Sequence, residues 1–232
     1  MKISKRIKIL LDSVDVKGKI VYDIGCDHGI VGYNLLCRDA TCRVVFSDIS
    51  SLNLEKAMKL CGNDNNVNSR AKFIQCNGVP KCANKDGVGL VFGLGGISII
   101  KILQENENLT ELYLQPTTSI FELRDYLYGN NYEIVSDKTY FYNGVNLDII
   151  HIKKSNNCGD FSFEMVALGK DNLGRCDDEY KKYLQKQLVY LSNMLAKVDV
   201  NMLNYNVDTL KIEKYRKRYN LISKMIKGDY DV

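Results

Sequence analysis

Short apolar runs alternate with amphipathic segments through the first two-thirds of this 232-residue chain. Five of these runs have the length and the apolar character of buried strands, and segments with helical spacing lie between or after them. The predicted strands cover residues 19–23, 42–48, 71–76, 87–93 and 111–116, and the predicted helices cover residues 3–14, 30–38, 51–61, 96–105 and 117–129. Because strands that alternate with helices form βαβ units, the pattern predicts an α/β fold built on a parallel sheet.

The pattern changes in the stretch DKTYFYNGVNLDIIHIK, residues 137–153. Two β-rich runs flank Asn143-Gly144, a dipeptide that strongly favours a tight hairpin turn. We therefore expect the parallel strands to be followed by an antiparallel hairpin. This topology is typical of the Rossmann-like sheet of class I S-adenosylmethionine-dependent methyltransferases, whereas many dinucleotide-binding Rossmann domains lack the hairpin.

A polar segment, residues 155–159, marks a predicted boundary between a Rossmann-like domain at 1–157 and a small helical domain at 158–232. Beyond this boundary, apolar residues recur at intervals of three and four in two series. The members are Leu184, Leu188, Leu191, Leu195 and Val198, followed by Ile212, Tyr215, Tyr219, Ile222 and Ile226. The spacing predicts a coiled-coil-like antiparallel pair of helices joined near residues 199–207, with the tyrosines as packing residues rather than as platforms for bases.

The composition argues against a metal-binding, a secreted or a membrane-spanning protein. The eight cysteines are scattered and the chain has only two histidines, His28 and His151, so we expect no metal site. The N-terminus is too charged for a signal peptide and no apolar run could cross a membrane, which predicts a cytoplasmic protein without a membrane partner. The formal net charge of +4 permits a polyanionic partner but does not require one.

The stretch YDIGCDHGIVG follows the first predicted strand, where a nucleotide binds in open α/β sheets. Its glycines do not form the Gly-x-Gly-x-x-Gly fingerprint of dinucleotide-binding proteins, which argues against a dehydrogenase. Asp23 and Asp27 would repel a pyrophosphate, but they suit a cationic ligand such as the methionine end of S-adenosylmethionine. Gly25 allows the backbone to turn sharply beside such a ligand.

Polar residues also follow the next two predicted strands. Asp48 could accept hydrogen bonds from both ribose hydroxyls, and the amide of Asn77, followed by Gly78, could read the adenine edge. The alternative is that Asp48 caps the next helix and that Asn77-Gly78 is only a turn. Taken in order along βαβ units, the residues predict an adenosine site. The predicted cofactor-binding residues are Asp23, Gly25, Asp48, Ile49, Asn77, Gly78 and Gly93.

The fourth strand ends in FGLGG, where many amino-methylating enzymes of this superfamily have an Asn/Asp-Pro-Pro-aromatic motif. The glycines predict a flat surface for a planar group. The alternative is that Gly95 and Gly96 only allow a helix to start close to the sheet.

Together these motifs resemble one family, the bacterial tRNA (adenine-22-N1)-methyltransferases, or TrmK family. The similarity rests on SKR near the N-terminus, DIGCDH in the first loop, GLGG after the fourth strand and LQP at the end of the fifth. The chain departs from the family where GIVG follows Asp-His, where Asn77 replaces an acidic residue, at Leu94 in place of Met, and at Thr117 in place of Asn. The exchange at Leu94 is nearly isosteric, whereas the one at Thr117 removes an amide that could hold a base.

The resemblance implies methyl transfer from S-adenosylmethionine to N1 of an adenine, position 22, in the D-arm of tRNA, by an enzyme that we expect to be a monomer. Asp27 and His28 are then the candidate catalytic residues; alternatively, they only shape the loop. The candidate substrate-binding residues are Lys5, Arg6, Gly95, Gly96, Gln115 and Pro116.

An adenine in a stem must be flipped out before its N1 can react, and contacts to the RNA backbone must offset that cost. Two basic clusters are candidates for these contacts or, alternatively, are solvated helix faces. They are Lys2, Lys5, Arg6 and Lys8 near the N-terminus, and Lys211, Lys214, Arg216, Lys217 and Arg218 in the last helix. Two other functions remain open at this stage: a class I methyltransferase with another RNA position or substrate, and a catalytically silent RNA-binding module.

Overall fold

A computed structural model describes residues 3–142, 144–155, 160–201 and 209–227 of the chain. Four features predicted from the sequence lie outside the described residues. These are Lys2 of the first basic cluster, the turn residue Asn143, residues 156–159 of the predicted boundary and residues 202–208 of the predicted helix connection. None of the helices in the described ranges is both long enough and apolar enough to span a membrane.

The strands are β1 (Ile20–Ile24), β2 (Arg43–Asp48), β3 (Ala71–Gln75), β4 (Val88–Leu94), β5 (Glu111–Pro116), β6 (Tyr132–Tyr142) and β7 (Val145–Lys154). The helices of the first 130 residues are α1 (Lys5–Asp12), α2 (Ile30–Arg38), α3 (Ser51–Cys61), α4 (Asn65–Asn68), α5 (Gly96–Gln104) and α6 (Ile120–Gly129). They are followed by α7 (Phe163–Leu168), a 3₁₀ turn (Lys170–Asn172), α8 (Asp178–Asn201) and α9 (Thr209–Lys227).

The strands form one mixed sheet in the order β3-β2-β1-β4-β5-β7-β6. Strands β1 to β5 are parallel, and β7 lies antiparallel between β5 and β6. The predicted α/β fold, a parallel sheet that ends in an antiparallel hairpin, is therefore confirmed. Because β7 runs against its neighbours, its first residues lie at the same edge of the sheet as the carboxyl ends of β1, β4 and β5.

The helix after β5 begins later than the spacing predicted. It starts at Ile120 rather than at residue 117, because the preceding residues bind the end of the neighbouring strand instead. The backbone N–H of Thr117 donates to the carbonyl of Leu94 at 2.8 Å, and the N–H of Gly96 donates to the carbonyl of Thr118 at 2.9 Å. Helices α4 and α7 were not predicted, because four and six residues are too few to show a helical period.

The C-terminal helices pack on the sheet domain. Tyr180, Tyr183 and Leu184 of α8 are almost fully buried, and they belong to the same apolar cluster as Leu123 of α6 and Ile150 of β7. Burial of these tyrosines fits their interpretation as packing residues. The two predicted helices are present at residues 178–201 and 209–227, while the division into two domains at residue 157 stays a prediction.

Several cations of the last helix contact other elements of the protein, although only Arg218 among them is buried. Lys214 forms an ion pair with Asp125 at 2.6 Å, and the Lys217 ammonium lies 4.4 Å from the centre of the Phe163 ring. Arg218 is only 4% exposed and donates to the Gln187 side chain at 3.0 Å. These three side chains therefore hold α9 against its neighbours, which neither the tRNA-binding nor the solvated-face interpretation anticipated.

Candidate functional site

A cleft of about 1170 Å³ opens at the carboxyl edge of the parallel strands. Its walls come from α1, the loop after β1, the ends of β2 to β5, α5 and the start of β7. Twelve of the predicted site residues line it: Arg6, Asp23, Gly25, Asp27, His28, Asp48, Ile49, Asn77, Gly78, Gly93, Gln115 and Pro116. The predicted residues Lys5, Gly95 and Gly96 do not line the cleft. The structure thus brings most of the predicted site together.

The loop after β1 is held close to the neighbouring strands. The backbone N–H groups of Gly25 and Cys26 both donate to the carbonyl of Ser47, at 2.8 and 3.0 Å. Gly25 has a φ of +67°, and a Cβ added there would lie 3.5 Å from the Leu94 side chain. The glycine therefore allows a sharp turn at the centre of the cleft wall.

Asp23 is a buried carboxyl group at the end of β1. Only 4% of the residue is exposed, and Oδ2 accepts a hydrogen bond from the backbone N–H of Gly32 at 3.0 Å. The pKa of Asp23 is raised to about 7, mainly by burial and in part by the nearby Asp48, while the hydrogen bond from Gly32 opposes the shift. A cation bound in the cleft would favour the ionised form of this group.

Asp48 connects three segments around the cleft. Its Oδ2 accepts from the backbone N–H of Asp27 at 3.0 Å, and its Oδ1 accepts from Ser50 N at 2.9 Å and from Asn53 Nδ2 at 3.3 Å. The cap of α3 is Ser50, whose hydroxyl accepts from the backbone N–H of Asn53; Asp48 does not cap the helix but holds the cap residue in place. A carboxylate offers about four acceptor positions, so Oδ2 can still accept a hydrogen bond from a ligand. Ile49 is 69% exposed beside it.

Asp27 and His28 lie at the rim of the cleft. The backbone of Asp27 adopts a φ of +50°, a conformation that aspartate tolerates better than most residues. Its side chain is 72% exposed, and Oδ1 lies 3.5 Å from His28 Nε2. His28 Nε2 also lies 3.0 Å from the ammonium nitrogen of Lys56. The main chain of Asp27 therefore shapes the loop while its carboxylate faces solvent at the rim.

Arg6 and Gln115 join α1 to the end of β5. The Arg6 guanidinium donates to Gln115 Oε1 at 2.8 Å, and the Gln115 amide donates to the carbonyl of Pro116 at 2.9 Å. Gln115 is only 3% exposed. Gly93 lies beside this contact with a φ of +79°, a backbone conformation that favours glycine, and a Cβ added there would be 3.5 Å from the Arg6 guanidinium, an ordinary contact distance.

Gly95 and Gly96 lie outside the cleft. A Cβ added at Gly96 would lie 2.4 Å from the carbonyl oxygen of Ser119, and one added at Gly95 would lie 3.0 Å from the Thr118 hydroxyl. These positions match the alternative interpretation, in which the glycines allow α5 to start close to the neighbouring chain. The close approach of two backbone segments requires the absence of a side chain here.

We expect Gly96→Ala to lower the free energy of unfolding by about 1–3 kcal/mol, because the added methyl group forces the backbone of α5 away from Ser119. Denaturant unfolding of the full chain measures the effect. The matched control is Gly129→Ala at the end of α6, where the added Cβ has no atom within 4 Å. Equal effects of the two substitutions would contradict the packing explanation.

Sequence reasoning missed two parts of the lining. Ser98, Lys101, Ile102 and Glu105 line the cleft from the face of α5 and the residue after it. Their helical spacing was a usable signal once the strand before the helix had been placed. The start of β7, Val145–Leu147, gave no such signal, because its position depends on the strand order of the finished sheet. Within the described ranges, no three His, Cys, Asp or Glu side chains are grouped closely enough to hold a metal ion.

Comparison with known proteins places this geometry in context. The methyltransferase domain family matches residues 3–150 of the chain. A Mycoplasma genitalium protein named "Putative tRNA methyltransferase MG248" is 31% identical over 174 residues, which are 71% of this chain and 76% of that protein.

Two solved structures share the fold over almost the whole chain. M. capricolum TrmK in complex with S-adenosyl-homocysteine superposes with a TM-score of 0.78 at 20% identity, over 98% of this chain and 99% of that chain. The B. subtilis m1A22 tRNA methyltransferase TrmK gives a TM-score of 0.79 at 17% identity, over 97% and 99% of the two chains. The fold that this chain shares with these two structures therefore includes the C-terminal helices.

Proposed function

The chain belongs to the methyltransferase domain family, and we propose that it transfers a methyl group from S-adenosylmethionine to N1 of adenine 22 in the D-arm of tRNA. The relative from Mycoplasma genitalium is named for tRNA methylation, and the B. subtilis structure of the same fold is named for m1A22 methylation. The observation that carries the proposal is the cleft, which holds two buried carboxylates at the strand ends where this fold binds its ligands.

The residues of the cleft fit S-adenosylmethionine, which supplies a methyl group on a positively charged sulfur. Asp23 and Asp48 are both less than 8% exposed, and they place negative charge where a cationic ligand would be held. Asp48 retains acceptor capacity for a ribose hydroxyl, while Asn77 and Gly78 line the cleft after β3, where they could contact an adenine. We propose Asp23, Gly25, Asp48, Ile49, Asn77, Gly78 and Gly93 as the cofactor-binding residues.

The proposed reaction requires the enzyme to align adenine N1 with the methyl carbon more than to activate N1 as a nucleophile. Adenine N1 carries an in-plane lone pair, which forms the new bond to the methyl carbon while the electron pair of the carbon–sulfur bond stays with sulfur. The adenine becomes positively charged, and loss of a proton from its exocyclic amine restores neutrality. A carboxylate near the base stabilises this charge. We propose Asp27 for that role, with His28 as the residue that orients Asp27 at the rim.

The substrate must leave its stem to enter the cleft, at a cost of a few kcal/mol. Arg6 and Lys5 of α1 are proposed to bind the RNA beside the mouth, and Gln115 and Pro116 line the cleft where the base would enter. The proposed roles of Gly95 and Gly96 are confined to shaping this region, since neither lines the cleft.

Among the residues that the structure describes, those that line the cleft fall between Arg6 and Leu147. We therefore propose that residues 1–157 bind the cofactor and carry the chemistry, and that residues 158–232 contact the tRNA. A tRNA substrate would place the reaction in the cytoplasm, and a monomeric state stays a prediction.

We expect the affinity for S-adenosylhomocysteine to rise several-fold between pH 6 and pH 7.5. The folded-state pKa of Asp23 is raised from 3.8 to about 7 by burial, so the carboxyl group is mostly protonated at pH 6 and must ionise to attract the ligand's ammonium group. In the free protein the sign is opposite: the contribution of Asp23 to stability is fully present below about pH 4 and is lost as pH rises through 7. Titration calorimetry at both pH values measures the affinity.

Two variants identify the titrating group. Asp23→Asn should abolish the pH dependence. His28→Gln, which changes the other candidate group at the rim of the cleft, should retain it. A slope that disappears in His28→Gln and persists in Asp23→Asn would contradict the assignment to Asp23.

The function itself is tested by incubating the full chain with labelled S-adenosylmethionine and an unmodified tRNA transcript that carries adenine at position 22. We expect label at N1 of that adenine, and none in a transcript with guanine at position 22. Label at another nucleotide would indicate a different RNA methyltransferase. If calorimetry with S-adenosylhomocysteine gave no heat, the chain would be a catalytically silent module.

A further inference from the structure

Asn146, the second residue of β7, lines the cleft although it belongs to the hairpin that follows the parallel strands. Leu114 of β5 pairs with Ile150 of β7, so the antiparallel register carries Asn146 beyond the end of β5 at the carboxyl edge. The sheet order places it on one side of β1, while Asp48 and Asn77 lie on the other. Asn146 therefore faces the part of the cleft away from the proposed adenosine site.

The orientation of the Asn146 amide is determined by its neighbour. Asn146 Nδ2 donates to Asp148 Oδ2 at 2.8 Å. A carboxylate accepts hydrogen bonds and donates none, so the NH₂ group must be the end that contacts Asp148. The other end, Oδ1, has no hydrogen-bond partner among the described residues. It is an acceptor of fixed direction in the cleft wall.

Asp148 is itself held in place. It is 3% exposed, and its Oδ1 accepts from the Thr139 hydroxyl at 2.6 Å. The Thr139 oxygen also lies 3.1 Å from the Asn172 amide nitrogen, which donates to it. This buried chain of hydrogen bonds leaves Asn146 little freedom to turn, which is the property required of a group that reads a base.

The surroundings of Asn146 suit a purine ring. The neighbouring Leu147 packs in one apolar cluster with Leu10 and Phe92. Leu147, Phe92 and the 65% exposed Val145 line the cleft as well. Successive strand residues point to opposite faces, so at this edge of the sheet Val145 and Leu147 line the cleft on one side of β7 and Asn146 on the other. A base that enters over the end of β7 can contact the apolar side chains with its flat face and Asn146 with its edge.

We propose that Asn146 Oδ1 accepts a hydrogen bond from the exocyclic N6 amine of the target adenine and thereby selects adenine. The inference rests on the proposed function. Guanine carries an oxygen acceptor at the same position, which would face Oδ1 without a hydrogen between them. The bond strengthens during the reaction, because the positive charge that develops on the ring spreads to the amine. The amine has two hydrogens, so one can bind Asn146 while the other is available to Asp27.

A cycle of enzyme and substrate changes tests this contact. Wild type and Asn146→Ala are each given two full-length tRNAs, assembled by ligation, that carry either adenine or unsubstituted purine at position 22. Purine keeps N1 but lacks the amine. Relative to the wild type, we expect Asn146→Ala to lower kcat/KM on the adenine tRNA roughly ten- to a hundredfold. On purine the substitution should have almost no effect, because the hydrogen bond is already absent.

Lower intrinsic reactivity of purine affects both enzymes equally and cancels in the cycle. The matched control is Val145→Ala, the neighbouring residue of β7, for which any loss should be the same on both substrates. The affinity of Asn146→Ala for S-adenosylhomocysteine should match the wild type, which shows that the variant is folded, while its unfolding temperature should fall modestly because the buried Asp148 loses a hydrogen bond.

Two results would overturn the inference, and only the second of them would also overturn the proposed function. If Asn146→Ala lowers kcat/KM equally on adenine and purine, the residue supports the wall and does not read the amine, while the proposed function stands. If the wild type fails to methylate the adenine-22 tRNA although it binds the cofactor, the proposed function fails and the inference fails with it.

Discussion

Asp27→Asn is expected to lower kcat about a hundredfold or more while the affinity for S-adenosylhomocysteine stays within about twofold of the wild type. The substitution removes the negative charge that the proposed mechanism places beside the developing adenine cation. It keeps the backbone N–H that donates to Asp48 at 3.0 Å, so the cofactor side of the loop is retained. Single-turnover kinetics and calorimetry measure the two quantities separately.

The choice of asparagine follows from the backbone. Asp27 has a φ of +50°, and asparagine is one of the few residues that tolerate this conformation, whereas alanine would add strain. Asp86→Asn is the matched control, since Asp86 is exposed and does not line the cleft. Retained turnover in Asp27→Asn would assign Asp27 to loop shape alone, the alternative that the sequence left open.

Arg124→Leu is expected to lower the free energy of unfolding by about 3–5 kcal/mol. Arg124 of α6 forms two hydrogen bonds to Asp137 of β6, at 2.7 and 2.8 Å, and both side chains are fully buried. Burial raises the pKa of Asp137, and the guanidinium of Arg124 opposes that shift. Removing Arg124 leaves a buried carboxyl group that must either stay charged without a partner or bind a proton. Equilibrium denaturation at pH 7 measures the loss.

An exposed ion pair of similar geometry provides the control. Arg38 and Asp12 are 2.7 Å apart, but their side chains are 43% and 50% exposed, so Arg38→Leu should cost at most about 1 kcal/mol. The double variant Arg124→Leu/Asp137→Leu should be less destabilised than Arg124→Leu alone, because it leaves no unpaired charge. If the double variant were the weaker of the two, the pair itself would be the stabilising element, contrary to this expectation.

Most of the cofactor side of the cleft could be predicted from the chain alone. Asp23, Asp48 and Asn77 each follow or end an apolar strand, and the carboxyl ends of parallel strands meet at one edge. Local patterning therefore placed them together without knowledge of a single contact. The capping of α3 by Asp48, considered as an alternative to ligand binding, is not present, because Ser50 caps this helix and Asp48 accepts from the backbone N–H of Ser50.

The substrate side was less predictable. Asn146 carries no motif, and its position in the cleft follows from β7 lying between β5 and β6. Gly95 and Gly96 suggested a flat binding surface, yet their neighbours are Thr118 and Ser119, which a fold with a different loop after β5 would have placed elsewhere.

The sequence by itself determined the succession of strands and helices along the chain, the hairpin, and the polar residues at the strand ends. Each of these depends on residue patterns within about ten positions. Only the tertiary structure decided which partners the charged side chains contact. Lys214 pairs with Asp125, 89 positions away, and Arg218 binds Gln187, 31 positions away. The sequence does not show whether a lysine or arginine on a helix contacts water or a carboxylate. Its partner is set by the packing of elements that are distant along the chain.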